Sequence, residues 1–194
     1  SSNEICLNEP VTLDFDFNQG GVAPFTINYT ITDNLGNITA QVAGPINSTG
    51  VNNTSASPSV GNNTYIITSI SDTNGCINQN NPINAQNIYV NPLPDINITV
   101  LPNPICVGDE ATLLFTGPNG TPPYIVDYTS AGIDSSVNVP ASGLALLVNP
   151  STTTTYALTY VTDLKGCESN LSDSSNLVVL GFTNRASPEA GTFT

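Results

Sequence analysis

The chain contains the same sequence pattern twice. The segment Ile5–Leu13 returns as Ile105–Leu113, each beginning with Ile-Cys and ending with Thr-Leu. Further along, Asp72–Cys76 returns as Asp163–Cys167, and both read Asp-x-x-Gly-Cys. A period of about 90 to 100 residues is too long for a solenoid unit and fits an independent small domain. The repeat therefore predicts a tandem array, whose usual contribution is reach or multivalent contact.

The boundary between the repeats is predicted in the segment Asn91–Pro94, where two closely spaced prolines stiffen the backbone. This boundary gives one domain over residues 1–92 and a second over residues 93–181. Residues 182–194 have no matching cysteine or core strand. They are predicted to be either a tail or the start of a further repeat.

Apolar and polar residues alternate along several short segments. Val11, Leu13, Phe15 and Phe17 alternate with polar residues, as in a strand with one buried face. Gly, Pro, Asn and Asp separate such segments, and no segment has a helical period. The fold class predicted is all-β, with two tandem immunoglobulin-like β-sandwich domains. The predicted strands are 11–18, 25–32, 38–42, 65–71, 88–90, 96–100, 113–115, 124–128, 144–148, 156–162 and 177–180.

The charge of the chain excludes several kinds of partner. Its net charge is −13, and Lys165 and Arg185 are its only basic residues. Nucleic-acid binding needs cations that displace counterions from phosphate, so we predict no nucleic-acid partner. The same charge disfavours anionic membrane surfaces, and the apolar stretches are too short to insert into a membrane. A self-repelling surface of this kind suits an extracellular protein.

The four cysteines occupy equivalent positions in the two repeats. A metal or redox site would need close spacing such as Cys-x-x-Cys, which does not occur. We therefore predict two structural disulfides, Cys6–Cys76 and Cys106–Cys167, in an exported protein. This pairing requires the segments around Cys6 and Cys106 to run beside the last strand of their repeats.

The combination of motifs resembles the immunoglobulin-like and PKD-like repeats of very large bacterial surface adhesins. The resemblance rests on the Ile-Cys start, the Thr-Tyr turns at Tyr65 and Tyr156, and the Asp-x-x-Gly-Cys corner, and it covers nearly all of residues 5–180. Such repeats are frequent in gliding bacteria that use type nine secretion. The resemblance implies a cell-surface filament that acts in adhesion or gliding motility. Because the chain has no Trp, it lacks the Trp-Asp segment usual in PKD-like repeats, and the general immunoglobulin-like label fits better.

Catalysis is not expected. The chain has no His, so it cannot form a Ser-His-Asp or Cys-His arrangement. We predict no enzyme activity and no catalytic residues. An alternative function is a carbohydrate-binding or spacer module of a secreted polysaccharide-active enzyme. That function predicts an exposed aromatic platform, which a chain with no Trp and seven Tyr supports poorly.

No cofactor is predicted, but the acidic residues leave calcium as an alternative. Hard cations prefer several oxygen ligands, and Asp109, Glu110, Asp163 and Glu168 could supply them. The predicted disulfide between Cys106 and Cys167 would bring these two acidic pairs together. The partners expected are neighbouring repeats of the same chain, with surface polysaccharide or other surface proteins as further candidates.

Overall fold

The chain folds into two compact units of β-structure. In the computed structural model, the residues described are 3–15, 20–47, 51–55, 58–78, 83–141 and 143–181. Unit 1 comprises Ser1–Leu93 and unit 2 comprises Pro94–Thr194. The described residues form strands, turns and irregular segments. None of them forms a helix long and apolar enough to cross a bilayer.

Unit 1 contains strands β1 to β8 in two sheets. Their bounds are β1 Glu4–Cys6, β2 Val11–Phe15, β3 Phe25–Thr32, β4 Ile38–Ile46, β5 Val51–Ser55, β6 Gly61–Ser71, β7 Ile77–Asn78 and β8 Ile83–Asn91. The larger sheet has the order β1-β8-β6-β3-β4, with β7 also paired to β6, and the smaller sheet is β2-β5. The pair β1 and β8 is parallel, whereas β3, β4, β6 and β7 pair antiparallel.

The core of unit 1 is formed by the inward faces of both sheets. Val11 and Phe15 of β2 belong to the same buried cluster as Ile27, Tyr29 and Tyr65 of the larger sheet. The rings of Tyr29 and Tyr65 stack with their centroids 6.3 Å apart. Because one face of each strand is buried and the other is wet, the alternation in sequence becomes a two-layer sandwich.

Unit 2 contains strands β9 to β18. Their bounds are β9 Asp95–Leu101, β10 Ile105–Cys106, β11 Ala111–Asn119, β12 Tyr124–Ser130, β13 Ile133–Val139, β14 Leu144–Val148, β15 Thr154–Thr162, β16 Glu168–Asn170, β17 Ser174–Leu177 and β18 Val179–Leu180. One sheet is β14-β11-β9, and the other is β13-β12-β15-β16 with β17 also paired to β15. Strand β10 pairs with β18 in parallel, as β1 pairs with β8.

The core of unit 2 also lies between two sheets. On β9, Ile96, Ile98 and Val100 are buried, and the residues between them are exposed. They belong to one apolar cluster with Val126 of β12 and Leu158 of β15, which lie in the opposite sheet. Two such sandwiches confirm the predicted all-β, immunoglobulin-like class.

The strand that the sequence failed to indicate is β13. It pairs with β12 along its whole length, from Ile133 opposite Ser130 to Val139 opposite Tyr124. It lies at the edge of its sheet, and only Val139 in it is fully buried. A mostly exposed edge strand has no need for strict apolar alternation, so it carries little signal in the sequence. The predicted tail at 182–194 and Phe17 lie outside the described residues.

Candidate functional site

The repeated cysteine motifs lie at the two ends of each sandwich. We call the end where the last strand finishes, at β8 or β18, the trailing end. The opposite end of the same sheet, which carries the Asp-x-x-Gly-Cys turn, is the leading end. Each end is built by the same contacts in both units.

At the trailing end of unit 1, Cys6 is held beside the last strand. It lies opposite Asn91 in the parallel ladder of β1 and β8. The next residue, Leu7, donates its backbone N–H to the Asn91 carbonyl at 2.9 Å. The carboxylate of Glu9 accepts the Cys6 N–H at 2.7 Å and closes the turn.

Unit 2 repeats this arrangement around Cys106. Cys106 lies opposite Leu180, and Val107 donates its N–H to the Leu180 carbonyl at 3.1 Å. The carboxylate of Asp109 accepts the Cys106 N–H at 3.3 Å, in place of Glu9. Asn8 and Gly108 occupy matching turn positions with φ of 76° and 95°. Asn and Gly are the residues that tolerate this left-handed conformation, which explains that difference between the repeats.

At the leading end, an aspartate organises each turn. In unit 2, Oδ1 of Asp163 accepts the N–H groups of Lys165 and Cys167, both at 2.9 Å. Its Oδ2 accepts the N–H of Thr121 from the loop between β11 and β12, at 2.8 Å. Asp163 is 6% exposed. The carboxylate therefore joins two loops as well as capping its own turn.

The corresponding turn of unit 1 is more exposed. Oδ1 of Asp72 accepts the N–H groups of Asn74 and Cys76 at 2.9 Å, and Oδ2 accepts that of Val22 at 3.1 Å. Hydrogen bonding, led by that from Val22, lowers the pKa of Asp72 below its ordinary value of 3.8. The repeated Asp-x-x-Gly-Cys motif is thus a structural turn with a second, long-range contact.

A third turn of this type was not singled out from the sequence. Oδ1 of Asp33 accepts the N–H groups of Leu35 and Asn37, and Oδ2 accepts the Asn37 side-chain amide, all at 2.9 Å. The Asn37 side chain is the leading cause of a lowered pKa at Asp33. The available signal was the spacing Asp-x-x-Gly, with Gly36 in the left-handed region at φ 84°.

These two aspartates predict an acid-sensitive component of the stability of unit 1. Each folded pKa is depressed, so each carboxylate stabilises the fold above pH 3.8, and this contribution is lost as the pH falls through the folded pKa. We expect the double variant Asp33→Asn, Asp72→Asn to lose less stability on acidification than the parent. Thermal melts from neutral pH to about pH 2 would measure the difference.

The matched control is Asp14→Asn, which removes one carboxylate for which no such turn is described. It should leave the acid-induced decrease in melting temperature close to that of the parent. Identical acid profiles for the double variant and the parent would contradict the role given to the two turns.

The predicted disulfide pairs are not bonded in the structure. Cys76 and Cys106 are free thiols, whereas Cys6 and Cys167 are disulfide-bonded. The segments around Cys6 and Cys106 do run beside the last strand, as the pairing required, but at the trailing end. The other cysteine of each unit is at the leading end.

Sheet register measures this separation inside each unit. In unit 1, β8 reaches Val90 opposite Gly61, while β7 and Cys76 follow the far end of β6 at Ser71. The length of β6 puts the two cysteines on the order of 30 Å apart. In unit 2, β15 separates Cys106 from Cys167 by roughly 25 Å. A disulfide tolerates a Cα separation of only about 7 Å, so neither predicted pair can form within its unit.

The predicted calcium ligands are separated for the same reason. Asp109 and Glu110 follow Cys106 at the trailing end, whereas Asp163 and Glu168 flank Cys167 at the leading end. Their expected approach depended on a disulfide that the register does not allow. Within the described ranges, no group of three or more His, Cys, Asp and Glu residues is arranged to hold a metal ion.

Comparisons with known proteins give only distant structural neighbours. The fibronectin(III)-like modules of Clostridium thermocellum CbhA match with a TM-score of 0.36 and 10% identity, over 93% of this chain and 90% of that one. The N-terminal four Ig domains of Dscam1 isoform 4.44 match with a TM-score of 0.35 and 12% identity, over 94% of this chain and 44% of that one. No protein-family model and no curated protein matches the chain.

Proposed function

We propose that the chain is a non-enzymatic stalk segment of a long extracellular repeat protein that acts in adhesion or gliding motility at a bacterial surface. The observation that carries the proposal is the direction of the chain through a repeat. In unit 2, β9 starts at Asp95, opposite Asn119 and beside the leading end. The unit finishes with Leu180 at the trailing end. Each repeat therefore advances the chain by the length of a sandwich, about 30 Å.

The surface chemistry supports the same proposal. A net charge of −13 keeps neighbouring molecules apart and keeps an extended protein soluble outside the cell. Repeats that add length also multiply weak contacts, so a long array gains avidity without a strong individual site. The partners proposed are neighbouring repeats and, through the whole array, surface polysaccharide or surface proteins. No cofactor is proposed.

The arrangement of the tyrosines favours a stalk over a sugar-binding module. Tyr29, Tyr65, Tyr124 and Tyr156 are all buried in the two cores. Tyr89, by contrast, is 47% exposed on β8. Stacking on a sugar ring needs accessible aromatic faces, and most of this chain's tyrosine surface is used for core packing.

A replacement experiment in the cell tests the proposal. Removing both repeats in frame from the surface protein should weaken adhesion or gliding, because the protein becomes shorter. Substituting two unrelated β-sandwich domains of equal length should restore it, since a stalk needs length and rigidity. Failure of that substitution would contradict the stalk function. Binding of the purified chain to a glycan array would instead favour the carbohydrate-binding alternative.

A further inference from the structure

The two cysteines of each unit lie at opposite ends, so the disulfides must join something other than the two halves of one sandwich. Cys6 and Cys106 are each held at a trailing end by a parallel ladder to the last strand. Cys76 and Cys167 are each held at a leading end by an aspartate-capped turn. Every repeat thus presents one cysteine at each end.

Cys6 lies where unit 1 passes into the linker. It is opposite Asn91, whose side-chain amide donates to the Ile5 carbonyl at 3.4 Å and whose carbonyl accepts the Leu7 N–H at 2.9 Å. Only Pro92 and Leu93 separate Asn91 from Pro94, the first residue of unit 2. Three residues of fully extended chain span at most about 11 Å.

Cys167 lies where unit 2 begins. Pro94 packs so closely against Gly120 that a Cβ on that glycine would come within 2.8 Å of the Pro94 Cα. The next residue, Thr121, donates its N–H to Asp163 at 2.8 Å and accepts the Leu164 N–H at 2.9 Å. Asp163 in turn accepts the N–H of Cys167 at 2.9 Å. These contacts tie Cys167 to the start of its own unit.

Chain connectivity therefore places Cys6 and Cys167 at the same junction, whereas the cysteines of one unit are separated by a sandwich length. The states of the four sulfur atoms provide a second, independent observation. Cys6 and Cys167 are disulfide-bonded, while Cys76 and Cys106 are free. Cys76 is exposed and Cys106 is partly exposed.

We propose that the cysteines link successive repeats, with the trailing-end cysteine of one repeat bonded to the leading-end cysteine of the next. Cys6 pairs with Cys167 across the Asn91–Pro94 linker. Cys76 and Cys106 are the corresponding outer positions, suited to the complementary cysteine of a further repeat of the same kind. This extension to further repeats rests on the proposed stalk function, but the Cys6–Cys167 bond does not.

The bond requires an oxidant from the compartment in which the protein folds. Two S–H bonds break and one S–S bond forms, with two protons released to water and two electrons transferred to a disulfide-bearing oxidant, which becomes a dithiol. A link between domains fixes their junction and would convert a proline-stiffened linker into a doubly connected joint. Such a joint suits a molecule that must transmit force along its length.

Peptide mapping tests the Cys6–Cys167 bond directly. The protein is alkylated without reduction and cut before aspartate, which puts each cysteine in its own peptide: 1–13, 72–94, 95–108 and 163–172. We expect 1–13 to be linked to 163–172, with 72–94 and 95–108 alkylated. Links from 1–13 to 72–94 and from 95–108 to 163–172 would overturn the proposal. A mixture without a dominant pair, or four alkylated peptides after oxidative folding, would also overturn it.

Single variants provide matched controls. Cys6→Ser and Cys167→Ser should each increase the free thiols of the oxidised protein to three, because each loses one bonded partner. Cys76→Ser and Cys106→Ser should each leave one free thiol and an unchanged link. An equal thiol count in all four variants would contradict the assignment. None of these measurements depends on adhesion, so their failure is distinct from failure of the stalk function.

The outer cysteines are tested with a second copy of the chain. Cys76→Ser protein retains Cys106, and Cys106→Ser protein retains Cys76, so an equal mixture can form a head-to-tail heterodimer. Under thiol–disulfide exchange, we expect the heterodimer to exceed the share given by random coupling. A random distribution of dimers, or none, would contradict the role of Cys76 and Cys106 as attachment points.

Discussion

Replacing Phe115 with alanine is expected to lower the free energy of unfolding of unit 2 by about 3–5 kcal/mol. Phe115 is fully buried at the centre of β11, opposite Ile98 on one side and Leu144 on the other. Its ring also packs against Tyr128 of the facing sheet, with centroids 5.6 Å apart and planes at 59°. Alanine would leave a cavity between both sheets, so transfer and cavity costs add.

The neighbouring residue provides the control. Leu114 lies on the same strand but is 40% exposed, because adjacent strand residues face opposite sides. We expect Leu114→Ala to cost about 1 kcal/mol or less. Calorimetry or urea unfolding of the whole chain would measure both variants. Equal losses in the two variants would mean that β11 does not present the face described to the core.

The fold class could be predicted because both sheets bury one face. Val11 and Phe15 in β2, and Ile96, Ile98 and Val100 in β9, follow the period of two that a half-buried strand imposes. That pattern is local and can be read without knowing which strands pair. The edge strand β13 lacked it, since most of its residues remain accessible to water.

The disulfide partners could not be predicted because they depend on register over long distances. The sequence correctly placed Cys6 and Cys106 beside the last strands of their repeats. Which end of that strand they meet is set by ladders of only three and two residues, β1 and β10. A ladder that short has no pattern in the sequence that fixes its position, and the end it meets decides which cysteine is within reach.

The aspartate turns were predictable in part. The Asp-x-x-Gly spacing indicates a turn, and the glycines at 75 and 166 adopt φ of 81° and 80°. The second role of the aspartate could not be read from the sequence, because Thr121 is 42 residues from Asp163 along the chain. Acidic residues that appeared available for a cation are instead hydrogen-bonded within the fold.

Replacing Asp163 with alanine is expected to destabilise unit 2 by about 3 kcal/mol. The change removes the acceptor for three backbone N–H groups, those of Thr121, Lys165 and Cys167. The N–H of Cys167 is buried, so water cannot readily replace the lost oxygen there. Asparagine keeps one oxygen and loses the other, so Asp163→Asn should fall between alanine and the parent.

The same substitution at Asp72 separates the effect of burial from that of the turn itself. Asp72 accepts the equivalent three N–H groups in unit 1, but those bonds are exposed and water can take the place of its carboxylate. We therefore expect Asp72→Ala to cost about 1 kcal/mol, clearly less than Asp163→Ala. Urea unfolding of the two variants would measure the difference. If both cost the same, burial at Asp163 adds nothing, and the contact with Thr121 does not help hold the leading end of unit 2 together.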